Sequence, residues 1–243
     1  MKIIKLNAIA STNSFLKDLS TSSALENGTV VLTQEQTKGR GQQDSKWVSE
    51  PHKNLTFSTF ILLNDVKIAH RRYLNFAISI AIYTVLFDKK IPKLSIKWPN
   101  DILSANKKIC GILIENSFFG DKIKSAIVGI GLNVNQEIFP NSLPNATSLK
   151  LETSMEYDLD ILLNEILIEF QHKIKLLESK YFHLLEKQYL EVLYKKNIPT
   201  MFKNSKDEIF MGIISGISDD GNLQIQLEDD SILEFGIKEV SIL

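Results

Sequence analysis

A single cysteine, Cys110, stands in a chain of 243 residues, so no internal disulfide can hold this fold together. The four histidines, His52, His70, His172 and His183, lie far apart and lack the paired spacing of a zinc site, so no structural metal is expected. Charge of one sign is missing as well: 28 Lys and Arg against 29 Asp and Glu leave a formal net charge of -1. Without a basic excess there is no broad surface for a phosphate backbone, which argues against nucleic acid as a partner. No apolar run approaches the ~20 residues that span a bilayer, and the start "MKIIKLNAIASTN" lacks the apolar core and cleavage site of a secretion signal. A cytoplasmic protein in a reducing compartment, with no membrane partner, is the expectation.

The length suffices for a sizeable core. Up to about residue 135 the chain alternates strand-like runs ("KIIKL", "TVVLTQ", "NLTFSTFIL", "LSIKW", "ICGILIEN", "SAIVGIGLNVN") with helical patterns near 12–20 and 68–88, an α/β organisation. Residues 158–195 change to apolar spacings of three and four, the mark of roughly two packing helices. After "NIPT" short strands return with turn signals such as Asp219-Asp220-Gly221-Asn222, as in a small antiparallel barrel. A second domain is therefore expected from about residue 196.

Ser11-Thr12-Asn13-Ser14 precedes an amphipathic run and reads first as a helix N-cap. The same geometry gathers hydroxyls, an amide and free backbone N–H groups, a compact set of donors and acceptors for a polar ligand. Further on, the stretch from Lys38 to Trp47, "KGRGQQDSKW", is almost wholly polar between two strand-like runs. Gly39 and Gly41 permit close approaches that a Cβ would block, and Arg40 offers a planar fork of donors to a carboxylate or phosphate. The closing tryptophan points to a loop that folds onto something; a solvated, disordered loop is the plainer alternative.

In "SIKWPNDILSANKKICGILIEN", a two-residue turn at Ala105-Asn106, or its four-residue version, puts Lys108 opposite residue 103 or 105 and on the face of Asp101. Such a pair is either an ordinary cross-strand ion pair or an acid and an amine set side by side in a site. Pro99, which cannot donate to a ladder, marks Lys97-Trp98-Pro99-Asn100 as less ordinary. In "IVGIGLNVN", Gly129, Gly131, Asn133 and Asn135 share one face at period two. Missing side chains there admit a flat ligand or a tight sheet packing.

The order and wording of these motifs are more specific than any one of them. "STN", then "QEQTKGRG" with its tryptophan, then "KWPNDI" with "KKICGILIE", then "GIGLNVN", followed by helices and a small barrel, resembles the biotin protein ligases over essentially the whole chain. The resemblance implies a mixed β-sheet with flanking helices, like that of class II aminoacyl-tRNA synthetases, as a catalytic domain over 1–195. It implies an SH3-like barrel over 196–243. Biotin and ATP are the substrates it implies, with Mg²⁺ accompanying ATP and biotinyl-5'-AMP as intermediate. The acceptor would be a lysine of a biotin carboxyl carrier domain. Some members carry an N-terminal winged-helix repressor domain; this sequence begins at the catalytic pattern and looks like the form without DNA binding. Monomer and homodimer both stay open.

By the same resemblance, Ser11, Thr12, Asn13 and Gln36 hold the biotin ring, and Arg40 with Gly41 and Gln42 closes over it. Lys108 contacts the reacting carboxylate and the α-phosphate, and Asp101 orients Lys108; these two and Arg40 form the catalytic set. Lys97, Asn100, Asn133 and Asn135 join Arg40 and Lys108 on the nucleotide side. The polar loop becomes a lid, disordered when empty, that folds over the adenylate and keeps water from the mixed anhydride. Gln42 stands where many members have a second arginine and Asp44 where a glycine is frequent, so this lid is less cationic. Two other readings remain. A lipoate or octanoate ligase or transferase of the related fold would need a long apolar acyl tunnel, and a non-enzymatic sensing or protein-binding module would have lost Arg40 and Lys108.

Overall fold

The computed structural model of the chain describes residues 2–43 and 45–243, so Asp44, one of the lid departures, lies outside the described residues. In chain order come β1 (Ile3–Ile9), α1 (Thr12–Ser22), β2 (Val30–Gln36), β3 (Leu55–Leu62), α2 (Arg71–Asp88), β4 (Leu94–Lys97), β5 (Asp101–Ser104), β6 (Lys107–Phe119) and β7 (Lys122–Leu132). Then follow α3 (Leu149–Thr153), α4 (Leu159–Glu178) and α5 (Phe182–Glu191). The chain ends in β8 (Pro199–Asn204), β9 (Ile209–Ile217), β10 (Leu223–Gln226), β11 (Ile232–Phe235) and β12 (Val240–Ile242).

Seven strands make one sheet in the order β1-β2-β3-β7-β6-β5-β4, and five make a second in the order β11-β10-β9-β8-β12. Among the described residues β1 and β2 are the one parallel pair, joined through α1 as a parallel connection requires. The remaining pairs are antiparallel, so the alternating text of the first half yields a mixed α+β fold rather than a wound parallel sheet.

The two-residue period of the strands decides which face carries what. Along β7, Ala126, Val128, Ile130 and Leu132 enter the main core, while Ile127, Gly129 and Gly131 point the other way. The core face is covered by α2, α4 and α5. Helix α2 is apolar nearly all round, as a central core helix should be, and its Phe76 stacks on Tyr189 of α5 with ring centroids 4.1 Å apart. On the opposite face Leu16 of α1 packs with Val31, Phe60 and Ile127. The rest of that face, over β6 and β7, is left to something else.

The second sheet is tied to the first body by its β9–β10 turn. Trp98 donates its indole N–H to the Gly221 carbonyl at 3.0 Å, and Arg71 donates to the Asp220 carbonyl at 2.8 Å. Arg72, largely buried, pairs with Asp219 at 2.8 Å. A guanidinium taken out of water needs such partners, so the turn's acidic residues serve the docking of the two sheets.

Candidate functional site

At the start of α1, Ser11 is the N-cap, its hydroxyl accepting from the Ser14 N–H at 3.5 Å. Gln36, the last residue of the neighbouring β2, turns its carbonyl oxygen to the same spot. It accepts from the Thr12 N–H at 2.8 Å and the Thr12 hydroxyl at 3.1 Å. Ser58 on β3 lies 2.7 Å from the Thr12 oxygen and 2.5 Å from the Asn13 carbonyl oxygen. Because the Thr12 proton is committed to Gln36, Ser58 alone has a proton to give to either. The Asn13 amide in turn donates to a Glu115 carboxylate oxygen at 2.8 Å. Ser11, Thr12, Asn13 and Ser58 are all buried, and buried polar groups persist only when paired in this way.

Ser58 and Glu115 were not among the candidates read from the sequence. The signal for Ser58 was slight: Thr56 and Ser58 stand two apart around Phe57 in "LTFSTFIL", but Thr59 breaks the alternation. Glu115 carries no such mark, since its role depends on residues far away in the chain.

Next to this cluster the sheet has a floor of glycine. Gly131 of β7 stands opposite Gly111 of β6, and Gly129 opposite Leu113. The indole of Trp47 lies in the trough so formed: a Cβ on Gly131 would fall 2.2 Å from its Cε2, and one on Gly111 would fall 3.1 Å from its Cζ3. A Cβ on Gly129 would fall 2.2 Å from the Asn13 carbonyl oxygen. The glycines thus make room both for an aromatic plate and for the amide of α1. Among the described residues the indole N–H is buried without a partner.

Trp47 is carried there by the polar loop, whose described residues pair as the two arms of a hairpin. Arg40 bridges Lys46, Gly41 donates to the Ser45 carbonyl at 2.6 Å, and Trp47 donates to the Gly39 carbonyl at 3.0 Å. Only glycine fits at 39, because a Cβ would lie 2.3 Å from the Trp47 carbonyl oxygen. Arg40 pairs with Glu115 at 2.9 Å, through the same oxygen that Asn13 uses.

The "SANK" turn forms as the spacing predicts. Ala105 and Asn106 both take positive φ, 45° and 70°, which makes a two-residue hairpin turn, and Lys108 stands opposite Leu103. A bulge at Ile109 follows, after which Cys110 faces Ile102 and Gly111 faces Asp101. The Lys108 ammonium meets the Asp101 carboxylate at 2.7 Å and lies 5.8 Å from the Trp47 ring centroid. The Lys108 backbone is fixed from the far side, donating to Asn145 and accepting from Thr147. Cys110 is fully buried in the core beneath, and burial pushes its thiol well above the ordinary range, so it stays protonated and is no nucleophile.

One cavity of about 310 Å³ joins these parts, lined by Ser11, Thr12, Asn13 and Gln36 at one end and by Lys97, Asn100, Asp101 and Lys108 at the other, with Arg40, Gly41 and Gln42 along its rim. The second sheet supplies a wall that sequence reasoning missed, through Ile237, Lys238 and Val240. Asn100 lines the cavity with its amide donating to the Ile112 carbonyl. Asn133 and Asn135 are not among the residues that line it. They lie past the end of β7, where Asn133 donates to the Thr147 carbonyl at 2.9 Å and Asn135 exchanges hydrogen bonds with the Tyr157 backbone. Period two placed them on the glycine face, but once the strand ends their amides go to anchoring the 147–157 segment instead.

Chemically, the cavity sets a compact, neutral network of hydroxyls and amides beside Lys97 and the Lys108–Asp101 ion pair. The first suits a small polar ring with both donors and acceptors; the second suits anions brought close together.

A protein-family model described as "Biotin/lipoate A/B protein ligase family" matches residues 6–133, and one described as "Biotin protein ligase C terminal domain" matches 203–241. The bifunctional ligase/repressor BirA of Bacillus subtilis is 32% identical over 178 residues, 71% of this chain and 54% of that protein. This chain thus spans about half the length of the curated relatives it matches. A biotin--[acetyl-CoA-carboxylase] ligase of Paracoccus denitrificans is 37% identical over 106 residues, 43% of each chain. Among solved structures, a biotin protein ligase from Aquifex aeolicus in complex with biotin and ATP superposes with a TM-score of 0.81 at 27% identity, covering 100% of this chain and 98% of that one.

Proposed function

The chain belongs to the biotin/lipoate A/B protein ligase family, and from that premise we propose that it is a biotin protein ligase. It activates biotin with ATP to biotinyl-5'-AMP and pyrophosphate, then passes the biotinyl group to a lysine of a biotin carboxyl carrier domain in the cytoplasm. Biotin and ATP as substrates draw support from the ligands of the Aquifex aeolicus protein. The observation that carries the reading is one cavity lined by Thr12, Asn13 and Gln36, which Ser58 ties together from behind, and by the Lys108–Asp101 pair. Residues 1–195 are read as the catalytic domain and 196–243 as the SH3-like C-terminal domain.

The chemistry needs this division. The ring of biotin is a cyclic urea with one acceptor and two donors, and it takes the polar end. The valerate carboxylate then attacks the α-phosphorus, the bond to the pyrophosphate oxygen breaks, and an acyl–phosphate anhydride forms. Carboxylate and phosphate repel each other, so holding them in line and neutralising the charge between them is most of the catalysis. Lys108 supplies that charge, steered by Asp101; Lys97 and Asn100 line the same end for the nucleotide. Mg²⁺ comes with ATP, on its phosphates. In the second step the carrier amine attacks the acyl carbon, AMP leaves, and Asp101 takes the amine proton.

The direct test is pyrophosphate release by purified protein with ATP and biotin, and separately with lipoate or octanoate. Release with biotin alone is expected; release with lipoate or octanoate and none with biotin would reverse the assignment.

Arg40 gives a second test. The geometry has it at the cavity rim on Glu115, free to exchange that carboxylate for an anion in the site. Arg40→Ala should weaken biotin binding about tenfold to a hundredfold, the worth of one charge-assisted contact of ~1.5–3 kcal/mol, and shorten the lifetime of bound adenylate. Calorimetric titration with biotin checks the first effect; wild-type affinity in the variant would remove Arg40 from the site.

A further inference from the structure

The base of the hairpin that carries Trp47 is held by β6, through Arg40 and Glu115. Its tip is held by the second sheet. The Gln43 carbonyl accepts from the Lys238 ammonium, and the Gln43 side-chain amide donates to the Ile237 carbonyl at 3.4 Å. Both partners sit in the turn between β11 and β12.

That turn is built to present Lys238. The Glu239 carboxylate accepts from the Gly236 N–H at 2.6 Å, and the Glu239 N–H donates back to the Gly236 carbonyl at 3.1 Å. Lys238 itself has φ of 65°, in the left-handed region where glycine or asparagine is the ordinary occupant. Lysine takes such a φ at Lys90, Lys93, Lys180 and Lys195 as well, so what distinguishes Lys238 is where its side chain goes. Here it reaches the loop tip, and the same residue lines the cavity that Lys97 and Lys108 also line.

We propose that Lys238 is a positioning residue: a clasp from the C-terminal sheet that holds the Arg40–Trp47 hairpin down over the cavity. Under the ligase reading, on which this part rests, the clasp governs how well the acyl–phosphate anhydride is shielded. Released from it, the hairpin admits water, which attacks the acyl carbon and expels AMP before the carrier lysine can do so. Lys238 would thus set the ratio of adenylate lost to solvent to biotinyl groups transferred.

The hairpin carries its own reporter, since Lys38, Arg40 and Lys46 are trypsin sites. Limited digestion of the full chain without ligand, with loop cuts mapped by mass, should show Lys238→Ala cut in the hairpin at least threefold faster than wild type, at an unchanged melting midpoint. Lys238→Arg should restore slow cleavage, because it keeps a donor of similar reach. In turnover with biotin, ATP and a carrier domain, AMP formed per biotinyl group transferred should rise several-fold in Lys238→Ala and return toward wild type in Lys238→Arg. Equal cleavage of the Lys238→Ala and wild-type hairpins would overturn the clasp, as would an unchanged ratio of AMP formed to biotinyl groups transferred. Should the wild-type protein make no adenylate from biotin, the ligase reading falls, and the digestion by itself still decides the clasp.

Discussion

Lys108→Ala should lose two to three decades in the single-turnover rate of adenylation while binding biotin and ATP nearly as well as wild type. The reason lies in where the charge appears. Two anions meet beside this ammonium as the anhydride forms, so its contribution grows on going to the transition state and shows in kcat rather than KM. The expected scale is ~2.7–4 kcal/mol, the usual consequence of removing one fixed donor from a site of this kind. Lys108→Arg should rescue little, since a planar fork cannot replace a compact ammonium between two anions. Asp101→Asn should have a smaller effect, because it removes the 2.7 Å partner that steers the ammonium but leaves the charge in place. The competing view of the pair is a hairpin ornament. Both side chains are part-exposed, and such a pair is worth under about 1 kcal/mol of stability and nothing in catalysis. A folded Lys108→Ala protein adenylating within threefold of wild type would falsify the catalytic role.

Gly129→Ala should damage binding and stability together. The added methyl would stand 2.2 Å from the Asn13 carbonyl oxygen and 2.9 Å from its Cγ, distances real Cβ atoms do not adopt. Asn13 cannot swing aside cheaply, because it is buried between Ser58, at 2.5 Å, and Glu115, at 2.8 Å. Either the start of α1 shifts off the sheet, an overpacking cost of ~1–3 kcal/mol, or the amide gives up its hydrogen bonds at a similar cost each. A fall in melting midpoint of roughly 4–8 °C is expected for about 2 kcal/mol in a chain of this size. Biotin affinity should fall at least about tenfold, since the displaced amide belongs to the polar end of the cavity. Gly120→Ala is the control: Gly120 has φ of 60° with open space around it, so alanine there costs about 1 kcal/mol of backbone strain and should leave affinity untouched. Thermal melting and biotin titration on the two variants separate crowding from strain. Wild-type affinity in Gly129→Ala would detach Asn13 from the site.

What the sequence determined by itself is local. The Ala105-Asn106 turn sets the register of β5 and β6 within two residues, and with it the meeting of Asp101 and Lys108. The alternation of "SAIVGIGL" sends apolar side chains to one face and leaves glycines on the other, whatever the strand pairs with. The N-cap at Ser11 follows from chain geometry within a turn or so. These features obey the periods of the backbone, and a period is legible wherever it runs.

The tertiary structure decided everything that depended on distant partners. Arg40 finds Glu115 at a separation of 75 residues, and Gln43 finds Ile237 at 194, and no local pattern encodes either meeting. Trp47 lies in the glycine trough because the loop fold and the sheet fold happen to converge there. Asn133 and Asn135 continue the period of β7 on paper, yet the strand stops at Leu132 and their amides turn to the 147–157 backbone. The second sheet became a wall of the cavity only because its Asp219–Gly221 turn docks on α2 and Trp98. Side-chain pairing across layers is set by how the layers pack, and packing satisfies buried polar groups with whichever partner is near in space, not in sequence.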